Sequence, residues 1–206
     1  MLTSINFKEH FAPFQVFSTT DIRKWLPSFD SRRLVEWQDK GYIQKVINRW
    51  YCFSDLHTTE AILYLIANRI YSPSYISFES ALSHYGFIPE GVYAVHSATS
   101  LKTQKFSTAK GHFFYRHIKA PLMFGISLVK SGNQLVRMAE PEKALLDYFY
   151  LNVSIQSPSD FESLRLNRTQ CKEQVDDQKL ISQLNLIGNR ALYHRVEAFR
   201  KWIKHA

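Results

Sequence analysis

Four side chains between positions 28 and 33 carry the chemistry needed to read a DNA base pair. They are Ser28, Ser31, Arg32 and Arg33. An arginine presents a planar fork of donors that matches guanine O6 and N7, and a serine hydroxyl both donates and accepts, so it serves either base type. Lys45 and Arg49 follow where the flanking residues read as a hairpin tip, and positive charge there suits phosphate oxygens rather than base edges. The pattern predicts that the first four residues specify sequence and that the later two hold the backbone.

A second strip is basic without any acid. Lys102, Lys105, Lys110, Arg116 and Lys119 are interleaved with Phe113, Phe114 and Tyr115, and with His112 and His117. It predicts a second basic surface for phosphates, either of the same DNA or of an RNA or nucleotide. The plain alternative is a solubilising sheet face with an apolar reverse side.

Catalytic patterns are thin. Asp160, Asp177 and Lys179 superficially supply the carboxylates and lysine of a magnesium-dependent nuclease, but the surrounding CKEQVDDQKLIS reads as a polar helix rather than a buried strand. The Gly-Ser turn and paired aspartates of a nucleotidyltransferase do not occur together, and no Gly-rich phosphate loop or nucleophile elbow is present. Cys52 and Cys171 lie far apart and the eight histidines are scattered singly, so no metal or cofactor is expected. The chain reads as a non-enzyme, with the nuclease as its enzymatic alternative.

The base-reading groups need elements to aim them. Thr19, Thr20 and Asp21 offer caps for a helix carrying Ile22, Trp25 and Leu26, which Pro27 ends. Ser28 or Asp30 caps a second helix, in which Leu34 and Trp37 share a core face with Val35 beside them, leaving Arg32, Arg33, Glu36 and Lys40 outside. Gly41 stops that helix, Tyr42, Ile43, Val46 and Ile47 alternate as a strand, and Asn48-Arg49 turns the chain back into residues 50–53. Of those two, Asn48 is expected in the left-handed position, which arginine tolerates poorly. Two helices, a turn and a hairpin in that order form a winged helix-turn-helix. The first 55 residues hold eight Lys or Arg against six Asp or Glu, so charge alone supports DNA weakly, and a protein-docking winged helix is the alternative.

The remaining pattern predicts an α+β protein: a winged helix-turn-helix over 1–55, then a mixed α/β domain over 56–206 with antiparallel strands and a helical tail at 156–206. Helices are expected over 56–70, capped by Thr58 or Thr59, and over 78–85, closed by Gly86. Strands follow over 92–98, 111–118, 126–130 and 134–138, with a hairpin turn at Ser131, Gly132 and Asn133. Glu140 and Glu142 match the dipole at the start of a helix over 143–151, whose core stripe is Ala144, Leu145, Tyr148 and Phe149. A hydrophobic content of 45% supports packed cores, and a net charge of +8 favours acidic partners. The first twenty residues lack a secretory pattern and the longest apolar run, 61–67, is too short to span a bilayer, so a cytoplasmic protein without membrane contact is expected.

Three motifs in order, YISFESALSHYGFIPEGVYAVHSATS (75–100), KGHFFYRHI (110–118) and AEPEKALLDYFYL (139–151), follow the N-terminal pattern. Together these resemble the AbiEi antitoxins of abortive-infection, type IV toxin-antitoxin systems, over residues 15–152. The resemblance implies a winged helix that binds double-stranded DNA at the inverted repeats of its own promoter. It also implies a larger domain that counters a nucleotidyltransferase-like toxin without a stable complex. Asn48-Arg49 departs from the Arg-Gly of related proteins, and the last fifty residues match nothing in the pattern.

Overall fold

The computed structural model describes residues 3–89, 91, 93–131 and 134–204. It begins with a helix outside the predicted pattern, α1 (Ser4–Phe11), capped where the Asn6 N–H donates to Thr3 Oγ1. Phe7 and Phe11 lie one turn apart and are both buried. There follow β1 (Val16–Ser18), α2 (Thr19–Trp25), α3 (Arg32–Asp39), β2 (Ile43–Ile47) and β3 (Trp50–Phe53). The strands form an antiparallel sheet in the order β1-β3-β2. One face of it closes a core of Phe7, Phe11, Phe17, Ile22, Leu34, Trp37, Ile43, Tyr51 and Phe53.

The other face of that sheet is not open to water. Val16, Val46 and Cys52 belong to the larger core, against α4 (Glu60–Ile70). Arg69 of α4 donates to the carbonyls of Phe14 and Val16, and Lys8 pairs with Asp55 at 2.6 Å. Thr59 caps α4 through the Ile62 N–H, so the helix starts four residues later than position 56.

The larger part adds β4 (Ser74–Ile76), α5 (Phe78–His84), β5 (Ala94–Thr99), β6 (Gln104–Thr108), β7 (Gly111–His117), β8 (Ile126–Ser131) and β9 (Gln134–Ala139). Their sheet runs β6-β7-β5-β4-β9-β8. It corrects the expectation of antiparallel strands, because β5 pairs with β7 and β4 with β9 in parallel. The connections explain this: β6 is inserted as a hairpin partner of β7, and β4 is a three-residue strand between Pro73 and α5. Neither β4 nor β6 is in the predicted set. Val92, where one strand was expected to begin, and Gly132 and Asn133 of the expected hairpin turn lie outside the described residues. Ser131 pairs with Gln134 in the β8–β9 ladder.

Helix α6 (Pro141–Leu151) is buried nearly all round, and α7 (Pro158–Ser163), α8 (Arg168–Gln174), α9 (Asp177–Ile187) and α10 (Arg190–Lys204) follow it. Beyond the predicted apolar stripe, Lys143 is 0% and Asp147 2% exposed. Lys143 Nζ pairs with Asp147 Oδ1, while Asp147 Oδ2 accepts from the Tyr75 hydroxyl at 2.7 Å and Ser77 Oγ at 2.8 Å. The ammonium also lies 5.1 Å from the ring centre of Phe124 and 5.7 Å from that of Tyr75. Burial, reinforced by Asp147, pushes the Tyr75 phenol well above its ordinary range and keeps it a donor. Gly125, at φ +63°, leaves room for this packing: a Cβ there would stand 3.0 Å from Lys143 Cβ and 2.9 Å from Gln183 Nε2.

The acids ahead of this pair stand at the start of the helix, as expected, and do more than match its dipole. Glu140, the residue before the helix, makes no capping bond with its side chain. Glu142 is 2% exposed and accepts the Asp176 N–H at 2.8 Å, and Lys179 reaches Glu140 at 3.1 Å and Glu142 at 3.4 Å. The two carboxylates therefore clamp α9 onto α6. The architecture is α+β: N-terminal helices with a small antiparallel sheet, then a mixed six-stranded sheet and C-terminal helices. Among the described residues, no helix is long and apolar enough to cross a membrane.

Candidate nucleic-acid interface

The α2–α3 corner is set by caps and a proline. Ser18, rather than Thr19 or Thr20, caps α2: its Oγ accepts the Asp21 N–H at 3.1 Å and Asp21 Oδ2 accepts the Ser18 N–H at 2.8 Å. The helix starts one residue early because Ser18 is the last residue of β1 and already extended. At its far end Leu26 is extended at φ −133° and ψ 92°, as the residue before a proline must be, and the chain turns into α3. Asp30 opens α3 by accepting the Arg32 N–H at 3.0 Å.

Leu34 and Trp37 are buried as expected, but Val35 is 59% exposed. One residue advances a helix by about 100°, so a neighbour of Leu34 is carried out of the core and lies near Arg32 and Glu36 on the outer face. Arg32 stands at the front of that face with its side chain 90% exposed. Its Nε lies 3.1 and 2.9 Å from the two oxygens of Asp30, and its Nη2 lies 2.8 Å from Oδ2. Further along, Lys40 pairs with Glu36 at 2.6 Å, and Asp39 is exposed. Positive charge on α3 is thus confined to its first turn, and there a carboxylate holds it.

The four predicted base readers divide between the exposed start of α3 and a cleft beside it. Ser31 and Arg32 are exposed at the start of α3. Arg33 is half-buried and lines, with Ser28, Asn6, Trp25, Leu26, Phe29 and Asp30, an open cleft of about 570 Å³ facing α1. Arg23 and Lys24, exposed in the last turn of α2, are further cations beside this corner.

At the hairpin, Lys45 and Arg49 are both exposed. Ile47 pairs with Trp50 across a two-residue loop, after a register shift between Lys45 and Ile47. The left-handed residue is Arg49 at φ +68°, not Asn48. The loop demands a positive φ at its second position, and sequence placed the arginine there. Its carbonyl accepts the Thr19 N–H at 2.9 Å, tying the tip to the start of α2. Since a side chain in the left-handed region costs about 1–3 kcal/mol and glycine loses part of that gain in unfolded-chain entropy, Arg49→Gly is expected to stabilise the protein by about 0.5–1 kcal/mol. A thermal or urea melt checks it, and an unchanged or lowered midpoint contradicts the strain.

Two cations of the second basic strip, Arg116 and Lys110, are engaged by neighbours within the chain. Arg116 donates to Glu79 at 2.7 Å, lies 3.2 Å from His96 Nδ1 and covers the Phe78 ring at 4.9 Å, so its charge is already matched. Burial holds the His96 imidazole below its usual range, with Glu79 opposing that shift and Arg116 adding to it. Lys110 donates to the Leu56 carbonyl at 2.9 Å, and Lys105 lies over the Phe114 ring at 5.1 Å. Lys102 and Lys119 are exposed.

The residues of the nuclease alternative are likewise engaged. Asp160 forms a capping box with Ser157, Asp177 pairs with Arg200, and Lys179 belongs to the α6–α9 clamp. Among the described residues, no group of three or more His, Cys, Asp or Glu is placed to hold a metal ion. No family model matches the chain, and neither does any curated protein.

Proposed function

We propose that this chain is a DNA-binding transcriptional regulator of the AbiEi antitoxin type, acting on its own toxin-antitoxin promoter. The observation that supports the DNA-binding half best is the order α1-β1-α2-α3-β2-β3 with sheet order β1-β3-β2, the order expected of a winged helix-turn-helix. In that arrangement α3 is the recognition helix. Its exposed first turn bears Ser31 and Arg32 towards base edges, and Lys45 and Arg49 at the wing meet phosphates. The antitoxin half, with a nucleotidyltransferase-like toxin as its functional partner, rests on the three motifs alone.

The same face supports a second reading as a protein-docking surface, favoured by exposed Val35 and by the pairing of Arg32 and Lys40 with carboxylates. A gel shift of the full chain on the duplex upstream of its own gene, against a scrambled duplex, separates the two. Retention of the upstream duplex alone at physiological salt is the expected result. Equal or absent retention overturns the regulator. Lys45→Ala is expected to weaken all duplexes alike and to reduce the slope of log affinity against log salt by about 0.9, one phosphate's worth. An unchanged slope removes that contact.

A further inference from the structure

The donors of Arg32 are divided between two edges of its guanidinium. Asp30 takes the edge formed by Nε and Nη2, with contacts of 2.8 to 3.1 Å. A guanidinium carries five N–H groups, so one N–H of Nη1 and the outer one of Nη2 are left on the end of the fork, while the second Nη1 N–H points back along the side chain. That end presents two parallel donors at the spacing of guanine N7 and O6, whereas adenine offers a donor, N6, in place of O6. The carboxylate is itself fixed from behind, since the Asp30 Oδ1 also accepts the Arg32 backbone N–H at 3.0 Å. The hydrogen bond from Arg32 holds the Asp30 carboxyl below its ordinary range, so it remains an acceptor near neutral pH.

We infer that Asp30 is a positioning residue that locks Arg32 in the orientation that selects guanine, and so sets the specificity of α3 at one base pair. This rests on the DNA-binding reading above. An exposed arginine without such a partner samples many rotamers and meets phosphates as readily as bases. With one edge held by Asp30, the fork is preorganised and its net charge is reduced, which favours a base edge over the phosphate backbone.

The experiment selects duplexes from a random library with the full-length wild type, then measures the affinities of single-base variants for wild type, Asp30→Asn, Arg32→Ala and the double variant. The amide that Asp30→Asn introduces still has an oxygen for the backbone N–H but only one acceptor and no charge for the guanidinium. Asp30→Asn is expected to lose about tenfold in preference for guanine at the same base pair where Arg32→Ala loses it, with affinity for unselected DNA equal or higher. The double variant is expected to lose no more selectivity than Arg32→Ala alone, because the two residues act as one unit. Unchanged melting temperatures establish that the variants are folded. A wild type that selects a site while Asp30→Asn keeps its guanine preference, or loses it additively with Arg32→Ala, overturns the positioning role alone. A wild type that binds no duplex overturns the regulator reading and this inference with it.

Discussion

Asp147→Ala is expected to cost about 3–5 kcal/mol of folding stability, the range for removing one member of a buried ion pair. Asp147 meets Lys143, Tyr75 and Ser77 at once, and Lys143 has no exposed surface. Alanine leaves an ammonium in a low-dielectric interior beside two aromatic rings, and two hydroxyls without their acceptor. Lys143→Met is expected to cost less, because the carboxylate left behind keeps two hydroxyl donors and the methionine retains the apolar stem. Replacing both partners with apolar residues removes the desolvation penalty together with the attraction, so Lys143→Met with Asp147→Leu should recover part of the loss. Urea unfolding monitored by circular dichroism measures all three. A loss below about 1 kcal/mol for Asp147→Ala, within the range of ordinary substitutions, contradicts the assigned role of this pair.

This pair also marks the boundary of what the chain discloses before its fold is known. The helix expected over 143–151 is legible from the proline and acids at its start and its apolar stripe, and it forms over 141–151 with Lys143 and Asp147 four apart in it. Their burial is not legible, because it depends on Tyr75 and Ser77, some seventy residues away in sequence. Strands with alternating large residues, such as Phe113 and Tyr115 in β7, declare themselves. In contrast, β6 has Phe106 as its one large apolar residue, and β4 is three residues long, too short to show a period. Helix α1 hides for a similar reason, with Phe7 and Phe11 its only buried positions. The parallel pairings follow from contacts distant in sequence, and so does the neutralisation of Arg116 by Glu79, 37 residues before it.

At the candidate interface the exposure of Arg32, Lys45 and Arg49 follows from local pattern, because each sits opposite an apolar face or at a turn. The half-burial of Arg33 does not, since the cleft it lines is completed by α1. The contact between Asp30 and Arg32 is also hidden from helical spacing. Side chains two apart diverge on a helix, but Asp30 precedes the helix and its chain bends back over the first turn.

Arg32→Ala is expected to weaken binding to the selected duplex by about 1–3 kcal/mol and to flatten the preference at one base pair. Because the side chain is 90% exposed, folding stability should stay within about 0.5 kcal/mol of wild type, so a loss of binding cannot be ascribed to unfolding. The variant also uncovers Asp30, placing an unmatched carboxylate at the mouth of the groove. A smaller loss shared by all duplexes should therefore accompany the selective one, and it should fade as salt is raised. Adding Asp30→Asn to Arg32→Ala removes that carboxylate charge: the shared loss should recover while the guanine preference stays lost. Affinity titrations on selected and scrambled duplexes at two salt concentrations resolve the two components. An equal loss on every duplex, with selectivity intact, would mean that Arg32 meets phosphate and that α3 does not read bases through this side chain.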